Sequence, residues 1–233
     1  MNARIHKLET EEDYEKAIER SVEILERGGL VVYPTDTSYG LACDPRNADA
    51  VEKLFETKNR DRNVGVPLLF ADENQCEKYH DFGELERVLT RLFWPGSLTL
   101  IVVAKDTVPT HITKGRTTVA IRVPDHSIPR GIAQKLGAPI VGTSANISGG
   151  PTPFDIASAL EQLGDKVDLY IDGGPSTANL NSTVLGVNEE EEGFSSIKIF
   201  REGAVSIDAL REFLQTDTDA LRFWTSRIFN AEM

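Results

Sequence analysis

Four short segments place hydroxyl, amide or cationic side chains directly after apolar runs that predict buried strands. The segments are "YPTDTSYG" at 33–40, "IRVPDH" at 121–126, "GTSANISGG" at 142–150 and "NSTV" at 181–184. One such turn is usually explained by capping or turn chemistry. Ligands of open α/β sheets, however, collect beyond the ends of the strands. Four polar turns that end different strands therefore predict one shared binding site.

A cationic segment, "ETKNRDRN" at 56–63, ends a predicted helix with Lys58, Arg60 and Arg62. Basic residues at the C-terminus of a helix often only complement the helix dipole. The functional alternative is phosphate binding, because lysine gives a compact charge and arginine a bidentate fork for a triphosphate whose charge moves to a leaving pyrophosphate. The chain lacks the G-x-x-x-x-G-K-[ST] pattern, so an ATP site here would not be a P-loop.

Composition narrows the class of protein. The chain has 233 residues, 40% of them hydrophobic, which suits one large domain or two small ones. No apolar stretch reaches the roughly 18 residues of a membrane span, and the charged N-terminus has no apolar signal core. Two cysteines, Cys43 and Cys76, are too few for a disulfide scaffold. We therefore expect a cytoplasmic protein with no membrane partner.

Charge and histidine content argue against two kinds of site. The net charge is −12, which repels nucleic acid unless positive residues are concentrated in one place, so direct tRNA binding is not expected. The four histidines, His6, His80, His111 and His126, are scattered without a metal-ligand spacing. We predict no metal site built from protein side chains.

Hydrophobic periodicity predicts alternating helices and strands. Capping and turn residues bound the predicted helices at 10–27, 47–58, 84–93, 127–136, 154–163 and 206–215. The predicted strands are 30–34, 66–71, 98–104, 118–124, 138–143, 167–172, 181–187 and 196–202. This alternation is typical of one α/β domain, which we place at residues 1–215. The tail, 216–233, contains the apolar segment "LRFWTSRIF" and is predicted to be mobile or to pack as a short helix.

Six groups of residues, in their order and spacing, resemble the YrdC/Sua5 family. They are "YPTDTSYGLACD", "KNR" followed by "PLLF", "FWPGSLTLIV", "TTVAIRVPDH", "PIVGTSANISGGPTP" and "STVLGV" followed by "IFREGAVS". The resemblance extends from about residue 18 to residue 215. It implies an α/β fold in which a twisted mixed sheet, flanked by helices, surrounds a deep concave cleft. The short, single-domain form of the family is expected.

The resemblance also implies an activity, that of an L-threonylcarbamoyladenylate synthase. Such an enzyme is a nucleotidyltransferase that converts L-threonine, bicarbonate and ATP to threonylcarbamoyl-AMP and pyrophosphate. The product would feed the t6A modification of tRNA through a separate transferase, reached by a transient contact. The expected cofactor is Mg²⁺ carried by ATP. No general base is identified, and the chemistry depends on alignment of the reactants and stabilisation of phosphate charge.

The family's threonine-binding positions transfer to individual residues of this chain. They are Thr37, in a pocket shaped by Thr35 and Tyr39, then Arg122 on the substrate carboxylate, Gly142 through its backbone and Ser182 through its hydroxyl. A carboxylate also calls for a bidentate cation on independent physical grounds.

The family's ATP-binding positions transfer in the same way. They are Lys58 and Arg60 on the phosphates, Thr118, Ser144, Asn146 and Thr152 around the nucleotide, and Arg201 at the phosphate or sugar. Lys58 and Arg60 are the predicted catalytic residues. Small residues in "TSANISGG" would let the backbone approach phosphate closely.

Two departures from the family pattern leave the substrate open. Where many members have a histidine that contacts the substrate, this chain has Ala71, and the loop 61–66 is longer than the common form. A paralogue that adenylates a different carbamoyl or amino-acid substrate is therefore one alternative. The other alternative is an RNA-binding module, which would need a continuous basic lining of the concave surface.

Overall fold

A computed structural model describes residues 4–189, 195–216 and 227–230. Its helices are α1 (Glu11–Glu26), α2 (Ala48–Lys58), α3 (Glu73–Cys76), α4 (Glu84–Phe93), α5 (Thr110–Thr113), α6 (Ser127–Leu136), α7 (Ile156–Leu163) and α8 (Ile207–Thr216). Its strands are β1 (Ile5–Lys7), β2 (Val31–Tyr33), β3 (Gly40–Ala42), β4 (Leu68–Leu69), β5 (Leu98–Val103), β6 (Thr118–Arg122), β7 (Ile140–Val141), β8 (Thr143–Ser144), β9 (Leu169–Asp172), β10 (Thr183–Glu189), β11 (Ser195–Arg201) and β12 (Arg227–Asn230). One turn of 3-10 helix, Gly164–Lys166, follows α7.

The helices begin where capping side chains satisfy their first backbone donors. At α1 the N–H of Asp13 bonds to Thr10 Oγ1 at 3.3 Å, and the Asp13 carboxylate accepts the N–H of Thr10 at 2.9 Å. At α2 the Asn47 side chain accepts the N–H of Ala50 at 3.1 Å. The six predicted helices are confirmed within two residues at each end. The four-residue helices α3 and α5 were not predicted.

The α/β class is confirmed, but the strands form two mixed sheets where one was expected. The five-stranded sheet has the order β1-β9-β2-β3-β8, and the seven-stranded sheet has the order β12-β11-β10-β5-β6-β4-β7. In the first sheet β2 runs parallel to β9 and antiparallel to β3. In the second sheet β5 runs parallel to β10 and antiparallel to β6. Strand order depends on pairings between distant segments, which sequence spacing does not encode.

The chain passes from one sheet to the other at Gly142. The strand predicted at 138–143 is split, because β7 pairs with β4 of the larger sheet and β8 pairs with β3 of the smaller sheet. The N–H of Val141 donates to the Cys43 carbonyl at 3.1 Å, and the N–H of Gly142 donates to the Pro67 carbonyl at 2.9 Å. These bonds fasten the crossing to both sheets, which meet here.

A large apolar core joins α2 and α4 to both sheets, and a smaller core lies under α1 and α6. The large core includes Phe55, Phe70 and Leu100, and the smaller one includes Leu25 and Ile132. Cys43 and Cys76 are buried and unbridged. Within the described residues, no helix combines the length and apolarity needed to cross a membrane. The same residues offer no group of three His, Cys, Asp or Glu side chains that could hold a metal ion.

Part of the tail forms a strand. Arg227–Asn230 is β12, which runs parallel to β11 with Ile228 opposite Ile197. The prediction of a mobile tail or short helix is therefore wrong for these four residues, which form the edge strand of the larger sheet next to β11. The rest of the tail after residue 216 lies outside the described residues.

Replacing Gly142 by alanine tests the crossing between the sheets. A Cβ at this position would overlap the Leu69 side chain of β4. We expect Gly142→Ala to lower the free energy of unfolding, measured by urea denaturation, by about 1–3 kcal/mol, as overpacking of a core does. In a Leu69→Ala background, where the space is free, the same replacement should cost much less. An equal cost in both backgrounds would contradict the steric account.

Candidate functional site

A cavity of about 460 Å³ lies between the two sheets, and the four polar turns predicted from the sequence all reach it. Its lining includes Thr35, Thr37, Ser38, Tyr39, Arg60, Val64, Gly65, Thr99, Arg116, Thr118, Arg122, Gly142, Thr143, Ser144, Asn181, Ser182 and Arg201. The smaller sheet contributes the turn between β2 and β3, together with β8. The larger sheet contributes residues of β4, β5, β6, β10 and β11. The crossing at Gly142 joins these two walls.

The cavity is positively charged in a protein whose net charge is −12. Four arginines line it, Arg60, Arg116, Arg122 and Arg201, and the described lining residues include no aspartate or glutamate. Of these arginines, Arg122 has a carboxylate partner, Asp36. Within the described part of the chain, no carboxylate pairs with the other three. The cavity is thus built to receive anions.

Arg122 is held at the end of β6 by three partners. Its Nε donates to the Gly96 carbonyl at 2.8 Å, its Nη2 to Asp36 Oδ1 at 2.6 Å and its Nη1 to Thr37 Oγ1 at 3.1 Å. Ser97 Oγ in turn donates to Asp36 Oδ2 at 3.0 Å. A guanidinium has five N–H donors, so two remain for a ligand after these three contacts. The side chain is only 7% exposed, and its orientation is fixed.

The polar residues of the turn "PTDT" at 34–37 have different roles. Thr35 Oγ1 accepts the N–H of Thr37 at 3.0 Å and donates to the Ser38 carbonyl at 2.6 Å, which folds the turn. Asp36 orients Arg122, and Thr37 presents its hydroxyl beside the guanidinium. The two threonines around an aspartate therefore fold the turn, hold the cation and line the cavity.

Tyr39 fastens this turn to the loop that follows β9. Its hydroxyl donates to the Gly174 carbonyl at 2.6 Å and accepts the N–H of Gly173 at 3.1 Å. Burial raises the pKa of the Tyr39 phenol to about 12, so it stays neutral. Tyr39 also lines the cavity, while its hydroxyl is bonded to the loop after β9.

Ser182 has a hydroxyl proton available for a ligand. Its Oγ accepts from Thr99 Oγ1 at 2.9 Å and from Arg201 Nη2 at 3.0 Å, so both lone pairs are used. Arg201 also donates to the Ser182 carbonyl through Nε and Nη2, at 3.0 and 2.9 Å. Burial, and then the charge of Arg122, lower the pKa of Arg201 below its usual range. An anion between these two arginines would relieve that repulsion.

Arg60 reaches the cavity from the loop after α2. Its Nη1 donates to Thr143 Oγ1 at 3.1 Å and its Nη2 to the Gly65 carbonyl at 2.9 Å. Its guanidinium lies 6.0 Å from the centre of the Phe55 ring, and burial lowers its pKa. Thr118 and Ser144, both predicted to contact ATP, line the same cavity.

Three predicted residues do not line this cavity. Lys58 is buried, with Nζ donating to the Asn146 carbonyl at 2.6 Å and to the Ser144 carbonyl. Asn146 supports the same segment, because its Nδ2 donates to the Gly150 carbonyl at 2.8 Å. Thr152 lines a separate pocket beside α7. Lys58 and Asn146 thus brace the segment that carries Ser144, and nucleotide contacts of these three residues stay predictions.

The protonation of Lys58 is nevertheless sensitive to nearby charge. Burial, and then the positive charge of Arg60, lower the pKa of the Lys58 ammonium to about 7. Its two carbonyl partners are neutral, so no anion offsets the loss of solvation. A phosphate close to this amine would favour the charged form.

Several site residues were missed by sequence reasoning. Arg116 comes just before β6, two residues before Thr118, and every second residue from there to Arg122 lines the cavity. This period of two is typical of residues on one face of a strand, and it could have identified Arg116 from the sequence. Asp36 had no such signal, because its role depends on an arginine 86 positions away. Ala71, where many family members have a histidine, does not line the cavity, and its carbonyl accepts from Arg130 Nε at 2.8 Å.

Comparison with known proteins adds relatives of named activity. A threonylcarbamoyl-AMP synthase of Thiobacillus denitrificans is 39% identical over 165 residues, which are 69% of this chain and 86% of the relative. A threonylcarbamoyl-AMP synthase of Bacillus subtilis is 35% identical over 175 residues, 74% of this chain, and the chain spans about half (51%) of that relative. The crystal structure of P. abyssi Sua5 complexed with L-threonine superposes with a TM-score of 0.83 at 29% identity, over 98% of this chain and 63% of that one.

The family match itself is extensive. The model of the Sua5–YciO–YrdC family, described as telomere recombination, matches residues 23–203. That range contains every segment that lines the cavity, including the turn 34–37, the crossing at Gly142 and Arg201. The chain therefore belongs to the Sua5–YciO–YrdC family.

Proposed function

We propose that this protein is a threonylcarbamoyl-AMP synthase, a nucleotidyltransferase that uses L-threonine, bicarbonate and ATP. The observation that carries the proposal is the cavity whose described lining has four arginines and no carboxylate, because all three substrates bring negative charge. The relatives named for this activity, and the superposition on a Sua5 bound to L-threonine, support the choice of substrates.

L-threonine would bind at Arg122. Two N–H donors of Arg122 have no partner among the described residues, and they fit the two oxygens of an α-carboxylate. Thr37 and Ser182 both present hydroxyl groups to the same cavity, and Ser182 has a free proton to donate. Burial of these groups strengthens each bond, since water competes weakly there. Gly142 would contact the substrate through its backbone, because the place of its missing side chain is filled by Leu69.

ATP would bind with its phosphates on Arg60, near Thr118, Ser144 and Arg201. Hydroxyl donors and guanidinium groups are the usual partners of phosphate oxygens. The described lining offers no carboxylate for a resident cation, so the site fits a Mg²⁺ that arrives bound to the nucleotide phosphates and water. Such an ion would neutralise phosphate charge as pyrophosphate leaves.

The reaction then needs two bond-forming steps. The threonine amine attacks bicarbonate-derived CO₂ to form an N-carboxylate and releases a proton. An oxygen of that carboxylate attacks the α-phosphorus of ATP, and the bond to the β-phosphate breaks as pyrophosphate leaves. The described lining contains no histidine or carboxylate to act as a base. The protein contributes alignment of three reactants and stabilisation of charge by arginine.

The product is a mixed anhydride that water destroys easily, so it calls for a transferase that accepts it promptly. We propose that a separate transferase uses it to make t6A in tRNA, after a transient contact, and that this occurs in the cytoplasm, in keeping with two unbridged cysteines. A cavity of about 460 Å³ suits small molecules.

Pyrophosphate release by the purified protein tests the proposed function. We expect release from ATP that depends on both L-threonine and bicarbonate, with threonylcarbamoyl-AMP identified by mass. Serine, other amino acids and carbamoyl phosphate serve as alternative substrates. Release that requires one of those instead of threonine would contradict the proposal and favour a paralogue with another substrate.

Substitutions of Arg122 and Arg60 distinguish the binding of threonine from the binding of ATP. We expect Arg122→Lys, which keeps a positive charge beside Asp36 but loses the bidentate fork, to raise the KM for threonine about tenfold or more, with little change in the KM for ATP. Arg60→Ala should abolish adenylate formation while the fold is kept. Arg87→Ala, on the exposed side of α4, is the control. Equal effects of Arg122→Lys on both KM values would remove its carboxylate role.

Proton uptake tests whether Lys58 responds to phosphate. Because the pKa of Lys58 is about 7, its side chain is neutral in most molecules near pH 8. A bound triphosphate should raise this pKa, so that ATP binding takes up a proton. Calorimetric titration with ATP in two buffers of different ionisation enthalpy measures the uptake, and Lys58→Met should lose it. ATP binding by the natural protein without proton uptake would contradict this role.

A further inference from the structure

Arg116 lies at the cavity with most of its hydrogen-bonding capacity unused. It is exposed, it lines the cavity, and its Nη1 donates to the Asn63 carbonyl at 2.8 Å. Within the described residues no carboxylate pairs with it. Four of its five N–H donors are therefore available to a ligand.

The loop 61–66 aligns Arg116 with Arg60. Arg60 Nη2 donates to the Gly65 carbonyl at 2.9 Å, and Arg116 Nη1 donates to the Asn63 carbonyl at 2.8 Å. A Cβ built on Gly65 would lie 3.7 Å from Arg116 Nη1, so both guanidinium groups reach this one glycine. The loop therefore contacts both cations, each through a backbone carbonyl.

The loop is itself ordered by local bonds and therefore can act as a support. The side chain of Asp61 accepts the N–H of Asn63 at 2.9 Å, and the N–H of Val66 donates to the Ile112 carbonyl at 3.4 Å. Neutral carbonyls fix the arginines without cancelling their charge. Cations placed in advance, with donors still free, bind an oxyanion at little cost in ordering.

We propose that Arg116 is a further phosphate-binding arginine of this site, held like Arg60 by a carbonyl of the loop 61–66, and that it binds the polyphosphate of ATP. This inference rests on the proposed function, because it assigns a further residue to the ATP subsite. It also gives the longer loop of this chain a role, which is to position two guanidinium groups for one polyphosphate.

Arg62 offers a matched control on the same loop. It pairs with Glu52 at 2.5 Å and with Glu56 at 3.1 Å, its side chain is 60% exposed, and it does not line the cavity. Its charge is thus already neutralised. Arg62 and Arg116 differ in access to the cavity and in charge compensation, which are the two features that the proposal uses.

The experiment compares binding of α,β-methylene-ATP and of adenosine by calorimetry, without turnover, for the natural protein and for Arg116→Gln, Arg116→Lys and Arg62→Gln. We expect Arg116→Gln to weaken the ATP analogue about tenfold or more and adenosine hardly at all, since a charge-assisted bond to phosphate is lost. Arg116→Lys should recover part of the affinity, because it keeps the charge but not the fork. Arg62→Gln should match the natural protein.

Two results would overturn the inference. One is equal affinity of Arg116→Gln and Arg62→Gln for the analogue. The other is an equal loss for the analogue and adenosine, which would indicate a structural role for Arg116. If the natural protein bound no nucleotide, the proposed function would fail together with this inference, whereas normal binding and turnover with an unaffected Arg116→Gln would refute the inference alone.

Discussion

The ion pair between Asp36 and Arg122 is the interaction on which the site depends. Asp36 lies in the turn after β2 of the smaller sheet, and Arg122 ends β6 of the larger sheet, so the pair joins the two walls of the cavity. Their side chains are 14% and 7% exposed. Burying two charges is costly and is tolerated only where further hydrogen bonds complete the geometry. Ser97 donates a further hydrogen bond to Asp36, and Gly96 and Thr37 accept further hydrogen bonds from Arg122.

The same pair would let one cavity bind a carboxylate and a polyphosphate separately, as the proposed function requires. Arg122 is charge-compensated and rigid, so it suits a small group that must be held in one orientation. Arg60, Arg116 and Arg201 have no carboxylate partner within the described residues, so they suit a ligand with several negative charges. Acidic residues elsewhere give the protein its net charge of −12 and repel anions from the rest of the surface.

Local signals predicted local features well. The boundaries of α1 and α2 were predictable because Thr10 and Asn47 cap their first turns. The convergence of polar turns was predictable because ligands gather at strand ends. The division into two sheets was not predictable, because it depends on the crossing at Gly142 and on pairings such as β7 with β4. The burial of Lys58 was missed for the same reason: its carbonyl partners lie more than 80 positions away.

One cavity between the sheets should hold L-threonine and ATP together, with the amino acid on Arg122. The decisive measurement is a crystal structure of the protein with L-threonine and α,β-methylene-ATP. We expect the threonine carboxylate within hydrogen-bond distance of Arg122 Nη1 and Nη2, close to Thr37 and Ser182, and the phosphates on Arg60. Threonine bound outside this cavity, or bound in it with its carboxylate away from Arg122, would show that Arg122 is not the carboxylate site.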